Sequence, residues 1–184
     1  LNNDTTVEPN ILSEMVNATK EYGEEHLYCP LINYMDDPEI IWYAGGNLNL
    51  PAGVLNHQFI RRRFTEQFKG SNITDFATGC CIFTSKETIR KLNGFDEQFN
   101  MYAEDVDLCL RAISMGIHSY FVPSARMYHK VSASVGGEFS KDKIKRKLAS
   151  IILLMKIHCS PFQRIIGFPL YILRSGFSLI RSLI

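Results

Sequence analysis

Three carboxylates, Glu104, Asp105 and Asp107, fall within four positions in the stretch MYAEDVDLCLRA. Such a cluster has two readings. Acidic residues open helices because the free N–H groups of the first turn carry partial positive charge. A carboxylate held at a rigid helix start can also accept the proton of a bound hydroxyl, which is general-base work. On a wheel of ~100° per residue, Asp107 and Arg111 form an i,i+4 acid–base pair in the favourable order. Asp107 therefore has a structural partner, and Glu104 can serve the positive end of the helix dipole. Asp105 points ~100° away from Glu104 and meets no cation in this register. Spacing alone leaves capping and base both open for it.

Three further stretches carry candidate chemistry. LNNDTTVEPN (1–10) places a polar Asn2-Asn3-Asp4 run at the end of a presumed strand and before a helix, where α/β folds put ligand contacts. Asp4 can ligate a hard cation through oxygen, as Mg²⁺ sites that bridge carboxylate to substrate phosphate do. An Asx turn into the Pro9 helix explains the same residues. His129 follows an extended segment beside Tyr128, where a packed imidazole and a metal ligand are both open. In ATGCCIF, Gly79 lets a ligand approach the backbone closely, or marks a bulge.

The elements that must position these groups follow from periodicity and punctuation. A helix is expected from Pro9 to about Tyr22, on the spacing of Ile11, Leu12, Met15, Val16 and Thr19. Strands are expected over 27–35, 40–50 and 75–85, with an irregular excursion over 51–72 between the last two. A short helix closes at Gly94, and a second runs from Glu104 to about Met115, where Gly116 stops it. Strand IHSYFVP and a short extended piece, ARMYHKV, come next. Two helices end the chain, over 138–158 and 162–184, the second interrupted at Gly167 and Pro169. Strands alternating with helices indicate an α/β sheet architecture with a helical tail.

Charge divides the chain in the same place. Residues 1–137 carry 11 Lys/Arg against 17 Asp/Glu, a net of −6; residues 138–184 carry 9 against 2, a net of +7. A basic tail on an acidic body suits an anionic partner. The apolar runs LASIILLM and IIGFPLYIL are each about half of the ~20 residues a membrane span needs. The tail is read as lying on an anionic membrane surface, or as packing on the domain. No nucleic-acid partner is expected. The five cysteines show no C-x-x-C pair and read as buried thiols of a reducing compartment.

NNDTTVEPN, IWYAGG, DFATGCCIFTSKETIRKLNGFDEQFNMYAEDVDLCLRA and FVPSARMYHKVSAS, in this order, resemble glycosyltransferase family 2, nearest its bacterial rhamnosyltransferase-like members. The resemblance covers roughly residues 1–135, and its most specific block is GFDE…ED-x-DL…R. It implies a partial GT-A (Rossmann-like) mixed sheet with flanking helices over 1–137, and the basic amphipathic helical tail over 138–184 lies beyond it. It also implies inverting, Mg²⁺- or Mn²⁺-dependent transfer from a UDP- or dTDP-linked sugar to a glycan or lipid-linked acceptor. The place of such an enzyme would be the inner face of a bacterial cytoplasmic membrane.

By that resemblance Asp4 and His129 are metal ligands, Asp105 is the base and Glu104 its companion. Asn3, Gly46, Gly79, Cys80 and Arg111 contact donor or acceptor. Asn2 stands where many relatives carry the first Asp of an Asp-any-Asp motif. The helix dipole is expected to lower the pKa of Asp105, making it a weak base that relies on geometry. The family builds its uridine or thymidine pocket ahead of the NND motif. The chain thus reads as the acceptor-side part of an enzyme, poorly active alone and with an open sheet edge. The rival reading is a non-catalytic membrane-associated binding or assembly module.

Overall fold

A computed structural model of the chain describes residues 1–64, 68, 70–130 and 141–181, with side chains over 144–175 in the last two helices. The expected unit boundary at 137/138 lies outside the described residues, as do the outer ends of segments expected to reach 131, 138 and 184.

The middle of the sheet is strand β2 (Leu27–Tyr34), buried along nearly its whole length. A continuous apolar run of this kind suits a strand covered on both faces. By chain order, β1 (Thr5–Val7) and helix α1 (Ile11–Tyr22) precede it and β3 (Ile41–Tyr43) follows. A hairpin of β4 (Gly46–Asn49) and β5 (Val54–His57) comes next, joined by a 3-10 turn at Leu50–Ala52. Then come β6 (Asn72–Thr74), α2 (Lys86–Lys91), α3 (Glu104–Ser114), β7 (Ser119–His129), α4 (Lys141–His158) and α5 (Pro161–Arg181).

The main sheet has five strands, and β7 is its longest. It pairs in parallel with β2, while β1 and β6 pair antiparallel with it at opposite ends. The β2–β7 register shifts after Pro30, which has no N–H to give a ladder. The strand and extended piece expected over 117–131 are therefore one bulged strand. Its last residues face β1, and Thr5 lies opposite His129. That register brings the NND segment to the histidine.

Two expected strands are corrected. The run 40–50 breaks at Gly45, where φ is 102°, so β3 stays in the main sheet while β4 leaves for its own hairpin with β5. The supposed irregular excursion thus contains a strand. Residues 75–84 are not a strand, despite their apolar composition. Only Phe83 exchanges ladder bonds, with Tyr28 at 2.8 and 2.9 Å. Several of its other backbone groups are taken by side chains, Ala77 N–H by the Cys109 thiol and Gly79 N–H by Asp105, while Asp75 and Cys81 donate to the single carbonyls of Gly46 and Thr78. A backbone satisfied by side chains has no need of a neighbouring strand.

The α3 helix matches its expected bounds, burying Val106, Asp107, Leu108, Cys109 and Ala112. In α1, Ile11 and Met15 are buried, while Leu12 and Val16 face solvent. The tail helices differ from each other. On α4, Ser150, Ile151, Leu154 and Met155 are buried at helical spacing, so its apolar run packs on the domain. At α5, Ser160 and Gln163 form a reciprocal capping box around Pro161. This helix runs through both expected interruptions. Gly167 is there for close approach, since a Cβ on it would stand 2.5 Å from the Leu50 carbonyl oxygen. Gly53, which caps the same 3-10 turn, meets the helix one turn further on, its Cβ position 2.4 Å from the Tyr171 nitrogen. No helix among the described residues is long and apolar enough to cross a membrane.

Candidate active site

Gly79 and Cys80 are the joint on which the site is built. The Gly79 N–H donates to Asp105 Oδ2 at 2.7 Å, and the next residue's carbonyl, that of Cys80, accepts the Asn2 N–H at 2.9 Å. One short backbone segment therefore ties the start of α3 to the NND run. On the NND side, the Asp4 carbonyl accepts the Lys130 N–H at 2.9 Å, and Asp4 Oδ2 lies 3.3 Å from His129 Nε2. Asp105, Asp4 and His129, more than a hundred residues apart at the extremes, meet in one region.

Asp105 is held firmly. Its second oxygen accepts the Val106 N–H at 2.8 Å. A Cβ at Gly79 would come 3.3 Å from the Asp105 Cβ, so a glycine leaves the carboxylate room. Burial pushes the Asp105 carboxyl above its ordinary value, against the lowering effect of the Gly79 and Val106 amides. The expected dipole-lowered pKa is thus reversed, because desolvation of a charged group outweighs the helix-start amides here. Its basicity rises accordingly. Burial likewise raises Glu104, with the neighbouring Asp105 charge adding to it. Glu104 Oε2 is buried without a hydrogen-bond partner, as are Asp4 Oδ1 and His129 Nδ1.

The fit of a divalent cation rests on the atoms that face each other. Asp4 Oδ2 and His129 Nε2, 3.3 Å apart, are an oxygen and a nitrogen of the kind Mg²⁺ or Mn²⁺ takes with further ligands from substrate phosphate and water. No group of three or more His, Cys, Asp or Glu able to hold a metal occurs among the described residues.

The other expected residues fare differently. Asn3 is exposed beside Asp4. Cys80 contributes its carbonyl, while burial, with Cys81, Asp4 and Asp105 nearby, pushes its thiol up to about 12. Gly46 is a packing residue: a Cβ there would meet the Phe76 ring at 2.3 Å, and its N–H donates to Thr74 Oγ1 at 2.7 Å. Arg111 leaves the site. Its guanidinium is spent on Asp107 Oδ2 at 2.8 Å, Gly94 O at 2.9 Å and Leu92 O.

Sequence reasoning missed two neighbours of His129. Trp42 sets its ring edge-on to His129 at 4.5 Å and to His57 at 4.6 Å. Burial lowers the His57 pKa to about 4. The IWYAGG stretch contained Trp42, but nothing local in it points to a partner 87 residues away.

A family model described as "Glycosyl transferase family group 2" matches residues 1–183. Over 76 residues the chain is 30% identical to the rhamnosyltransferase WbbL of Escherichia coli, which covers 41% of this chain and 29% of that protein. Over 81 residues it is 32% identical to an N-acetylglucosaminyl-diphospho-decaprenol L-rhamnosyltransferase of Mycobacterium tuberculosis, covering 44% of this chain and 26% of that one. The crystal structure of GalNAc-T7 with UDP, GalNAc and Mn²⁺ superposes with a TM-score of 0.60 at 14% identity, over 86% of this chain and 31% of that chain. The fold is thus the mixed α/β GT-A arrangement. The matches span less than a third of each of these three proteins.

Proposed function

The chain belongs to glycosyl transferase family group 2, and from that premise we propose that it is the metal- and acceptor-side part of an inverting glycosyltransferase. The reaction moves a sugar from a UDP- or dTDP-linked donor to a hydroxyl of a glycan or lipid-linked acceptor in cell-surface polysaccharide synthesis. The observation that carries this reading is the convergence of Asp105, Asp4 and His129 about the Gly79–Cys80 backbone.

In this reading the acceptor oxygen bonds to the anomeric carbon as the bond from that carbon to the diphosphate oxygen breaks. The acceptor proton passes to Asp105, and the nucleotide diphosphate leaves with the electron pair. Asp105 keeps lone pairs beyond those its two amide donors use, and burial makes it a stronger base. Asp4 and His129 would hold a divalent cation. When bound, it supplies positive charge for the diphosphate as negative charge develops there. Glu104, Gly79 and Cys80 wall the acceptor side, and Asn3 stands beside Asp4 toward the donor.

The α5 helix supports a peripheral place at the inner face of the cytoplasmic membrane. Phe162, Ile165, Ile166, Ile172 and Leu173 lie exposed at helical spacing, Phe162 and Ile165 at 71% and 72%. The exposed Arg174 and the half-exposed Arg164 flank that stripe. Such a face suits an anionic bilayer surface.

The test uses the full-length protein with UDP- and dTDP-sugars and Mg²⁺ or Mn²⁺. Asp105→Asn is expected to lower kcat by about 10²–10⁴-fold while leaving donor binding nearly intact. Asp4→Asn is expected to weaken donor binding in the presence of the metal. Normal transfer by Asp105→Asn would remove the base assignment. Donor or membrane binding without any transfer would favour the non-catalytic module. The chain spans a minor part of its relatives' length, and the isolated 184 residues are expected to transfer poorly beside a longer form.

A further inference from the structure

We infer that Ser150 and His158 of α4 are positioning residues for the Glu104–Asp105 pair, which makes this tail helix a working part of the site. The inference rests on the reading of that pair given above.

The acid pair follows an unusual turn. Tyr102 and Ala103, the two residues immediately before Glu104, have φ of 73° and 65°. Consecutive non-glycine residues in the left-handed region persist only where the surroundings hold them. Ala103 is the N-cap of α3 and makes no side-chain cap bond. The direction in which Glu104 and Asp105 leave the turn must therefore be set from outside it.

Asp105 is fixed to Gly79 on one side. The other restraints come from α4, and they bracket the acid pair. Ser150 Oγ donates to the Met101 carbonyl at 2.8 Å, just before the strained turn. His158 Nε2 donates to Asp107 Oδ1 at 2.7 Å, just after the pair. The two donors are eight residues apart, about 12 Å along α4. Rigid spacing of this kind holds both ends of the segment 101–107 together.

Asp107 is the firmer anchor. It is 1% exposed, and its other oxygen takes the Arg111 Nε–H. Arg111 continues to the Leu92 and Gly94 carbonyls that close α2. One buried carboxylate thus joins α2, α3 and α4. Ile151, Leu154 and Met155, buried on the same face of α4, seat the helix that carries both donors.

The test compares Ser150→Ala, His158→Ala and His158→Gln in the full-length protein. Both alanine variants are expected to lose kcat by about tenfold or more, because small misplacements of a base are costly. Donor KM should stay within about twofold, since the donor-side residues are untouched. Gln restores an N–H donor and should recover most of the loss. Amide exchange over 101–107 should quicken in both alanine variants while β2 and β7 keep their protection. A lowered Tm with unchanged kcat per folded molecule would overturn the inference and leave α4 as packing only. If the wild type itself transfers no sugar, the functional reading fails separately. Exchange over 101–107 then decides the latch, and unchanged exchange overturns it.

Discussion

At the scale of single residues, burial competes with charge throughout the site. Glu104 carries a raised pKa and a buried oxygen without a partner. A carboxyl whose pKa is raised by folding binds its proton more tightly in the native state, so it opposes stability above its unfolded pKa. Glu104→Gln is therefore expected to raise Tm by about 1–3 °C at neutral pH, read by thermal melting. His57 has the opposite dependence. Its pKa falls to about 4 on burial, so the unfolded chain binds the extra proton first. Its contribution is present above the ordinary histidine value of about 6.5 and is lost as pH falls toward 4. His57→Phe should flatten the stability profile between those limits, measured by denaturant midpoints across pH.

At the scale of elements, close approach decides what each helix and loop can do. Gly46 faces the Phe76 ring, and Gly46→Ala is expected to cost about 1–3 kcal/mol through overpacking, seen as a lower denaturant midpoint. Gly167 lets α5 reach the Leu50 carbonyl, so a larger residue there should undock α5 and leave the main sheet intact. Leu154, fully buried on α4, should cost about 2–5 kcal/mol when cut to Ala. The outer face of α5 behaves differently, since its apolar side chains are exposed. Ile165→Ser together with Ile172→Ser should leave Tm within about 1 °C but reduce co-sedimentation with phosphatidylglycerol vesicles severalfold. Unchanged co-sedimentation would exclude α5 as the membrane contact.

At the scale of the molecule, long-range register assembles what the chain keeps apart. Local periodicity made α3 legible within a residue of its end, along with the Asp107–Arg111 pair inside it, because both depend on contacts within a few turns. The α/β class and the basic tail were legible for the same reason. The motif resemblance brought Asp4, Asp105 and His129 forward as a set. Tertiary structure alone decided that 75–84 is a side-chain-bonded loop, since the Asp105 and Cys109 groups that claim its backbone lie more than 25 residues away. It also decided that α4 packs on the domain and meets Met101 and Asp107, where the sequence left membrane surface and domain packing both open. Above all it reversed the pKa of Asp105. The helix dipole can be read from a helix start, but desolvation depends on what the rest of the chain places around that start.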